Sequence, residues 1–140
     1  IGANDFLKLV KKKKKNFQLR EINDAFANYM QNLKQIVATL ESLNSEAAIV
    51  FIGLYNPIGI LVDEAKQTDA LVQHFNQISE EIIMTSPNGH FIPIHDIFLH
   101  KSDHLLADDY FNPNGLGYER IAERIDAYFL DGKGRNETWS

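Results

Sequence analysis

Ala47-Ala48-Ile49-Val50-Phe51-Ile52-Gly53-Leu54 is an unbroken apolar run, closed by Tyr55-Asn56-Pro57. A surface strand alternates apolar and polar residues, whereas a run apolar at every position reads as a strand covered on both faces, the habit of parallel sheets flanked by helices. Pro57 stops it, since proline has no amide hydrogen for a ladder. Toward the N-terminus, Leu19, Ile22, Phe26, Tyr29, Leu33, Ile36, Leu40 and Leu43 recur at alternating short spacings, the stripe of one long amphipathic helix lying on a sheet. Toward the C-terminus a second helix is predicted from Thr68 to Met84, with Leu71, Phe75, Ile78 and Ile82 facing inward and Pro87-Asn88-Gly89 ending it. His90-Phe91-Ile92-Pro93-Ile94 then reads as a short strand, irregular residues lead to Asp109, and a last helix is predicted from Asn114 to Leu130. Its inward residues are Leu116, Ile121, Ile125, Tyr128 and Phe129. Helix, strand, helix, strand, helix is the order of an α/β layered unit with parallel strands. An open doubly wound sheet usually has about five strands, so two visible ones read as part of a sheet.

A chain of 140 residues allows one domain. Hydrophobic residues at 44% supply a packed core, and the formal net charge of −5 argues against a general nucleic-acid or anionic-membrane surface. With no Cys, there is no disulfide framework and no cysteine nucleophile. No apolar run approaches the ~20 residues that span a bilayer. Asp5 to Val10 reads as a short helical start, and Lys11 to Lys15, five like charges in a row, as a solvated loop. Residues 1–130 form the domain and the polar, Gly-containing residues 131–140 a tail, whose Asn136-Glu137-Thr138 match to a glycosylation pattern is attributed to chance. Ile1 is not an initiator Met, and the natural protein is expected to start earlier.

Two polar segments sit where α/β folds place ligands, beyond strand ends or at helix starts: Gly2-Ala3-Asn4-Asp5, and Asp109-Tyr110-Phe111-Asn112-Pro113-Asn114 with Gly117-Tyr118. Ile1-Gly2-Ala3-Asn4-Asp5-Phe6 resembles the Gly-x-Asn-Asp block of the SGNH (GDSL-type) hydrolases, a family of esterases, lipases, lysophospholipases and carbohydrate deacetylases. Asp109 to Asn114 with Gly117-Tyr118 resembles its Asp-x-x-His-Pro-Asn-x-x-Gly-Tyr block. Phe51 to Pro57 and Phe91 to Ile94 are similar to strand ends of its lipase-like bacterial members. The resemblance implies the C-terminal portion of a three-layer α/β/α, flavodoxin-like parallel sheet, incomplete at the N-terminus. It also implies acyl-ester hydrolysis, in which a Ser attacks the carbonyl, a His takes its proton and an Asp three residues earlier orients the imidazole.

By that resemblance Asn4 is an oxyanion donor, Asp109 the triad acid, Asn112 the position of the family's His, and Gly2 and Asn56 substrate-binding residues. The residues alone leave Asn4 open as a helix cap and Asp109 as a solvated or helix-terminal carboxylate. The sequence departs from the family twice. Asn112 is a carboxamide, which bonds but does not titrate near neutral pH, and Ser42, Ser45, Ser79, Ser86, Ser102 and Ser140 include none in a Gly-Asp-Ser or Gly-x-Ser-x-Gly turn. The expected state is an inactive or crippled acyl-ester hydrolase domain, and its alternative a non-catalytic binding module on the same fold. A flavodoxin-like nucleotide binder lacks a Gly-rich phosphate loop. His95, His100 and His104, with Asp96, Asp103, Asp108 and Asp109, fit no metal-ligand spacing, so neither metal nor cofactor is expected, and His104 is a weak candidate for a substitute base. The partners expected are an ester or lipid substrate if the site is complete, no nucleic acid, and either an N-terminal portion or a second copy covering an open sheet edge. The family's lipase-like members lean to secreted or membrane-anchored bacterial settings.

Overall fold

The computed structural model describes residues 19–57, 65–99, 102–109 and 111–132. The stripe on the first helix, α1 (Leu19–Leu43), buries Phe26, Tyr29, Leu33 and Val37. A step of four residues after Leu33 brings Val37 inward in place of Ile36, and the helix then runs off the core, leaving Leu40 and Leu43 exposed. Strand β1 (Ile49–Ile52) follows, then α2 (Ala65–Ile83), which starts three residues earlier than the periodicity predicts. Turn bonds from Thr85 and Ser86 to the Ile82 and Ile83 carbonyls close that helix. Gly89, expected in the helix terminator, is instead the first residue of β2 (Gly89–Ile92). A Cβ there would collide with the Ile83 carbonyl, so only glycine lets the strand start against the helix end.

β1 and β2 pair in parallel, with Ile49 opposite Gly89 and Ile52 opposite Ile92. Successive strand residues point to opposite faces, and the contacts divide accordingly. Ile49, Phe51 and Phe91 pack with α1 and α2 around Val72, Phe75, Ile82 and Ile83. On the other face, Ile52 joins the cluster of Ile94, Phe98, Leu105 and Leu106, and His90 sets its ring edge-on to Tyr128 and Phe129. The architecture is therefore the expected α/β/α layering about a parallel sheet, with two strands among the described residues. β2 is buried throughout, whereas β1 is covered less completely than its apolar run predicts: Val50 is 41% exposed.

The stretch after β2, expected to be irregular, holds two one-turn helices, α3 (His95–Phe98) and α4 (Ser102–Leu105). The last helix is α5 (Gly115–Leu130), with Asn114 as its N-cap. Its apolar side chains are covered only in part: Ile121, Ile125, Tyr128 and Phe129 are half-buried, while Leu116, expected inside, is exposed. Among the described residues no helix is long and apolar enough to cross a membrane.

Candidate functional site

Asp109, Phe111 and Asn112 form the tip of a loop whose base is pinned. Leu106 bridges Pro113 in antiparallel fashion, Ala107 N–H donates to the Asn112 carbonyl at 2.8 Å, and Asn114 N–H donates to the Leu105 carbonyl at 2.8 Å. Asn114 closes the base from the other side. Its Oδ1 accepts from Gly117 N–H at 2.9 Å, capping α5, while its Nδ2 donates to the carbonyls of His104 (2.9 Å) and Leu106 (3.1 Å). Gly117 is the second glycine whose missing side chain matters, because a Cβ would collide with the Leu105 carbonyl and lie 2.9 Å from the Pro113 side chain.

Within the tip, Asp109 gathers three hydrogen bonds. Oδ1 accepts the N–H groups of Phe111 and Asn112, each at 2.9 Å, and Oδ2 accepts Nδ2 of Asn112 at 2.6 Å. An ionised carboxylate can only accept, so the amide nitrogen of Asn112 must face it and the amide oxygen must face away. The backbone N–H of Asn112, then that of Phe111, then the Asn112 side chain hold the Asp109 carboxyl below the usual carboxylate range. Both side chains are exposed.

This loop is carried to the carboxyl end of the sheet by Tyr55, three residues past β1. Its hydroxyl donates to the Phe111 carbonyl at 2.7 Å, and its ring stacks on Phe98 with centroids 3.9 Å apart at 20°. Burial, then the neighbouring Tyr118 and Asp109, push the Tyr55 hydroxyl well above the ordinary tyrosine value, so it stays a donor. Asn56, the next residue, is buried. The strand end is itself fixed by Asn76 of α2, whose Oδ1 accepts Leu54 N–H at 2.7 Å and whose Nδ2 donates to the Leu54 carbonyl at 2.9 Å. Asn76 thus serves Leu54 as a neighbouring strand would.

Of the residues singled out in the sequence, Asp109 and Asn112 are in direct contact, and Asn56 lies one residue beyond the tyrosine that holds their loop. Gly2 and Asn4 lie outside the described residues, as do the short start at Asp5 to Val10, the lysine run and His100. Asn114, quoted in the second polar segment and as the start of the last helix, caps that helix; sequence reasoning gave no role to Tyr55 or Asn76. Of these two, Asn76 carried a signal, as a polar residue on the buried face of α2 beside Val72, Phe75 and Ser79.

His95 is no freely placed base. It is 9% exposed, with Nε2 2.6 Å from Asp69 Oδ1 and Nδ1 3.2 Å from the Gln73 amide nitrogen. That nitrogen can only donate, so Nδ1 accepts and the ring proton on Nε2 goes to Asp69. His90 is buried against Tyr128 and Phe129. His104 has an exposed side chain on the wall of a groove between α3, α4 and α5, together with Asp96, Arg120 and Arg124. The groove's charges neutralise one another: Arg124 grips Asp96 with two bonds, at 2.8 and 2.5 Å, and Arg120 pairs with Glu123 at 2.7 Å. Among the serines, Ser79 is 1% exposed; its hydroxyl donates to the Phe75 carbonyl and accepts from Tyr29. Among the described residues, no three His, Asp or Glu side chains form a metal-binding cluster.

The surroundings of Asp109 can be set beside known proteins. Over 127 residues the chain is 28% identical to the uncharacterized protein YpmR of Bacillus subtilis strain 168, covering 89% of this chain and 50% of that protein. It superposes on the lipase Lip_vut3 from a goat rumen metagenome with a TM-score of 0.77 and 19% sequence identity, covering 89% of this chain and 59% of the lipase. The chain therefore spans half the length of the curated relative it matches. A family model for GDSL-like lipases and acylhydrolases matches residues 1–120, from before the Gly-x-Asn-Asp segment to beyond Gly117-Tyr118, and the chain belongs to that GDSL-like lipase/acylhydrolase family.

Proposed function

We propose that this chain contributes the acid side of an acyl-ester hydrolase site whose base position is held by a carboxamide, so that ester turnover by serine attack and proton transfer is lost or crippled. The observation that carries the reading is the 2.6 Å contact between Asn112 Nδ2 and Asp109 Oδ2. In an acid–histidine pair the imidazole donates one N–H to the carboxylate and offers its second nitrogen to the nucleophile's proton. Asn112 reproduces the first contact, and on its far side presents an amide oxygen that can accept a hydrogen bond from a hydroxyl but has no basicity to remove the proton. Losing a general base typically costs ~10²–10⁴-fold in rate. Asn4 as oxyanion donor, Gly2 and Asn56 as substrate contacts, and a serine outside residues 1–140 complete the site in this proposal. The family membership and the overlap with half of a longer relative support it.

The same observation favours a second reading, a non-catalytic binding module for a hydroxyl-bearing ligand such as a glycan or a lipid, because a non-titrating acceptor at the tip would accept a hydrogen bond from a ligand hydroxyl without activating it. One experiment separates the two. The full-length protein is assayed on a short p-nitrophenyl ester alongside Asn112→His. The expected result is a rate near background for the natural protein and a gain of about 10²-fold or more in the variant. Vigorous hydrolysis by the natural protein, unchanged by Asn112→Ala, overturns the role given to Asn112. A variant that binds the ester but remains inert leaves the binding module standing.

A further inference from the structure

We propose that Tyr55 is the positioning residue of the Asp109–Asn112 pair, set in place by Asn76; this rests on the reading of that pair given above. The peptide unit joining Phe111 to Asn112 is held at both ends. Its N–H, on Asn112, donates to Asp109 Oδ1 at 2.9 Å, and its carbonyl, on Phe111, accepts from the Tyr55 hydroxyl at 2.7 Å. A hydrogen bond at a carbonyl oxygen polarises the N–H across the same amide, so the tyrosine both locks this peptide and strengthens its grip on the carboxylate. No residue adjacent in sequence does this, since Tyr55 lies 56 residues from Phe111.

Tyr55 can act as a fixed post because its own freedom is removed from two directions. Its ring lies flat on Phe98, itself 2% exposed. The backbone of the preceding residue, Leu54, is bonded at both N–H and carbonyl by the single side chain of Asn76. Burial keeps the hydroxyl protonated. A chain of contacts thus runs from α2, through the end of β1, to the loop before α5, and it fixes which way the acid faces.

Tyr55→Phe keeps the ring and its stacking and removes only the bond to the loop. In the full-length protein, followed by NMR, the variant is expected to move the Asn112 backbone amide upfield, to speed its hydrogen exchange about tenfold, and to shift the Asp109 carboxyl titration toward the ordinary carboxylate range. In the Asn112→His background it is expected to lower kcat about five- to tenfold with KM unchanged within about twofold, as misorientation of a reacting group does. A folded Tyr55→Phe protein in which the Asn112 amide and the Asp109 titration stay as they were overturns the proposal. If Tyr55→Phe does not fold, Asn76→Asp, which keeps an acceptor for Leu54 N–H and loses the donor, is read by the same two signals, and no movement there overturns it equally. An inert Asn112→His enzyme sinks the reading of Asn112 alone, because the NMR signals report on Tyr55 without any turnover.

Discussion

In the site proposed above, asparagine and histidine at position 112 would differ in one property that matters: both can donate to Asp109, and only histidine can carry a proton away. The structure shows the donating half of that comparison, with Asp109 drawing two backbone N–H groups and one side-chain N–H around itself. Since its carboxyl is held below the usual range, the sign of the pH effect is fixed. A carboxyl with a lowered folded value stabilises its turn fully above the ordinary carboxylate value, about 3.9, and that contribution is lost as pH falls through the lower folded value. A carboxyl-carbon NMR titration should therefore give Asp109 a midpoint below about 3.9. In Asn112→Ala the midpoint should rise only part of the way, because the two backbone donors, the larger causes, remain. An ordinary midpoint in the natural protein contradicts the turn. The Asp109–Asn112 contact was legible in the sequence because residues three positions apart in a tight turn can reach each other. The Tyr55–Phe111 and Asn76–Leu54 bonds were not, since nothing local couples residues 56 and 22 positions apart.

Elements were more legible than contacts, for a physical reason. The long helix α1 and both short strands announce themselves through apolar spacing, which burial enforces over many residues at once. The one-turn helices α3 and α4, four residues each, are too short to show such a repeat, whereas the start of α5 at Asn114 is legible because asparagine is a capping residue whose polar bonds fix a helix end. Asn114 shows what such bonds are worth: one cap to Gly117 and two bonds to the carbonyls of His104 and Leu106. Loss of an N-cap costs about 1 kcal/mol and each neutral hydrogen bond about 0.5, so Asn114→Ala should lower stability by about 2 kcal/mol in urea unfolding. Asn114→Asp keeps the acceptor for Gly117 N–H and loses both donors, so about half of that loss should return. Equal losses in the two variants would assign the residue's value to its donors and not to the cap.

At the scale of the whole molecule, the sheet separates two apolar clusters with no member in common, and the aromatic stack beneath the candidate site belongs to one of them. Phe75, fully buried, belongs to the α1–α2 side; Phe98, 2% exposed, belongs to the other side and carries the Tyr55 ring. Phe75→Leu and Phe98→Leu each remove buried volume and should each cost about 1–2 kcal/mol. Their effects on the loop should differ: Phe98→Leu loosens the stack beneath Tyr55 and should shift the Asn112 side-chain amide resonances, whereas Phe75→Leu should leave them in place. In the double variant the two costs should add within about 0.5 kcal/mol, as expected for sites without shared partners. A larger coupling would mean that the strands transmit packing strain from one face to the other. The loop's orientation would then depend on both layers, and the orientation of Asp109 would belong to the sheet as a unit and not to the Tyr55–Phe98 stack.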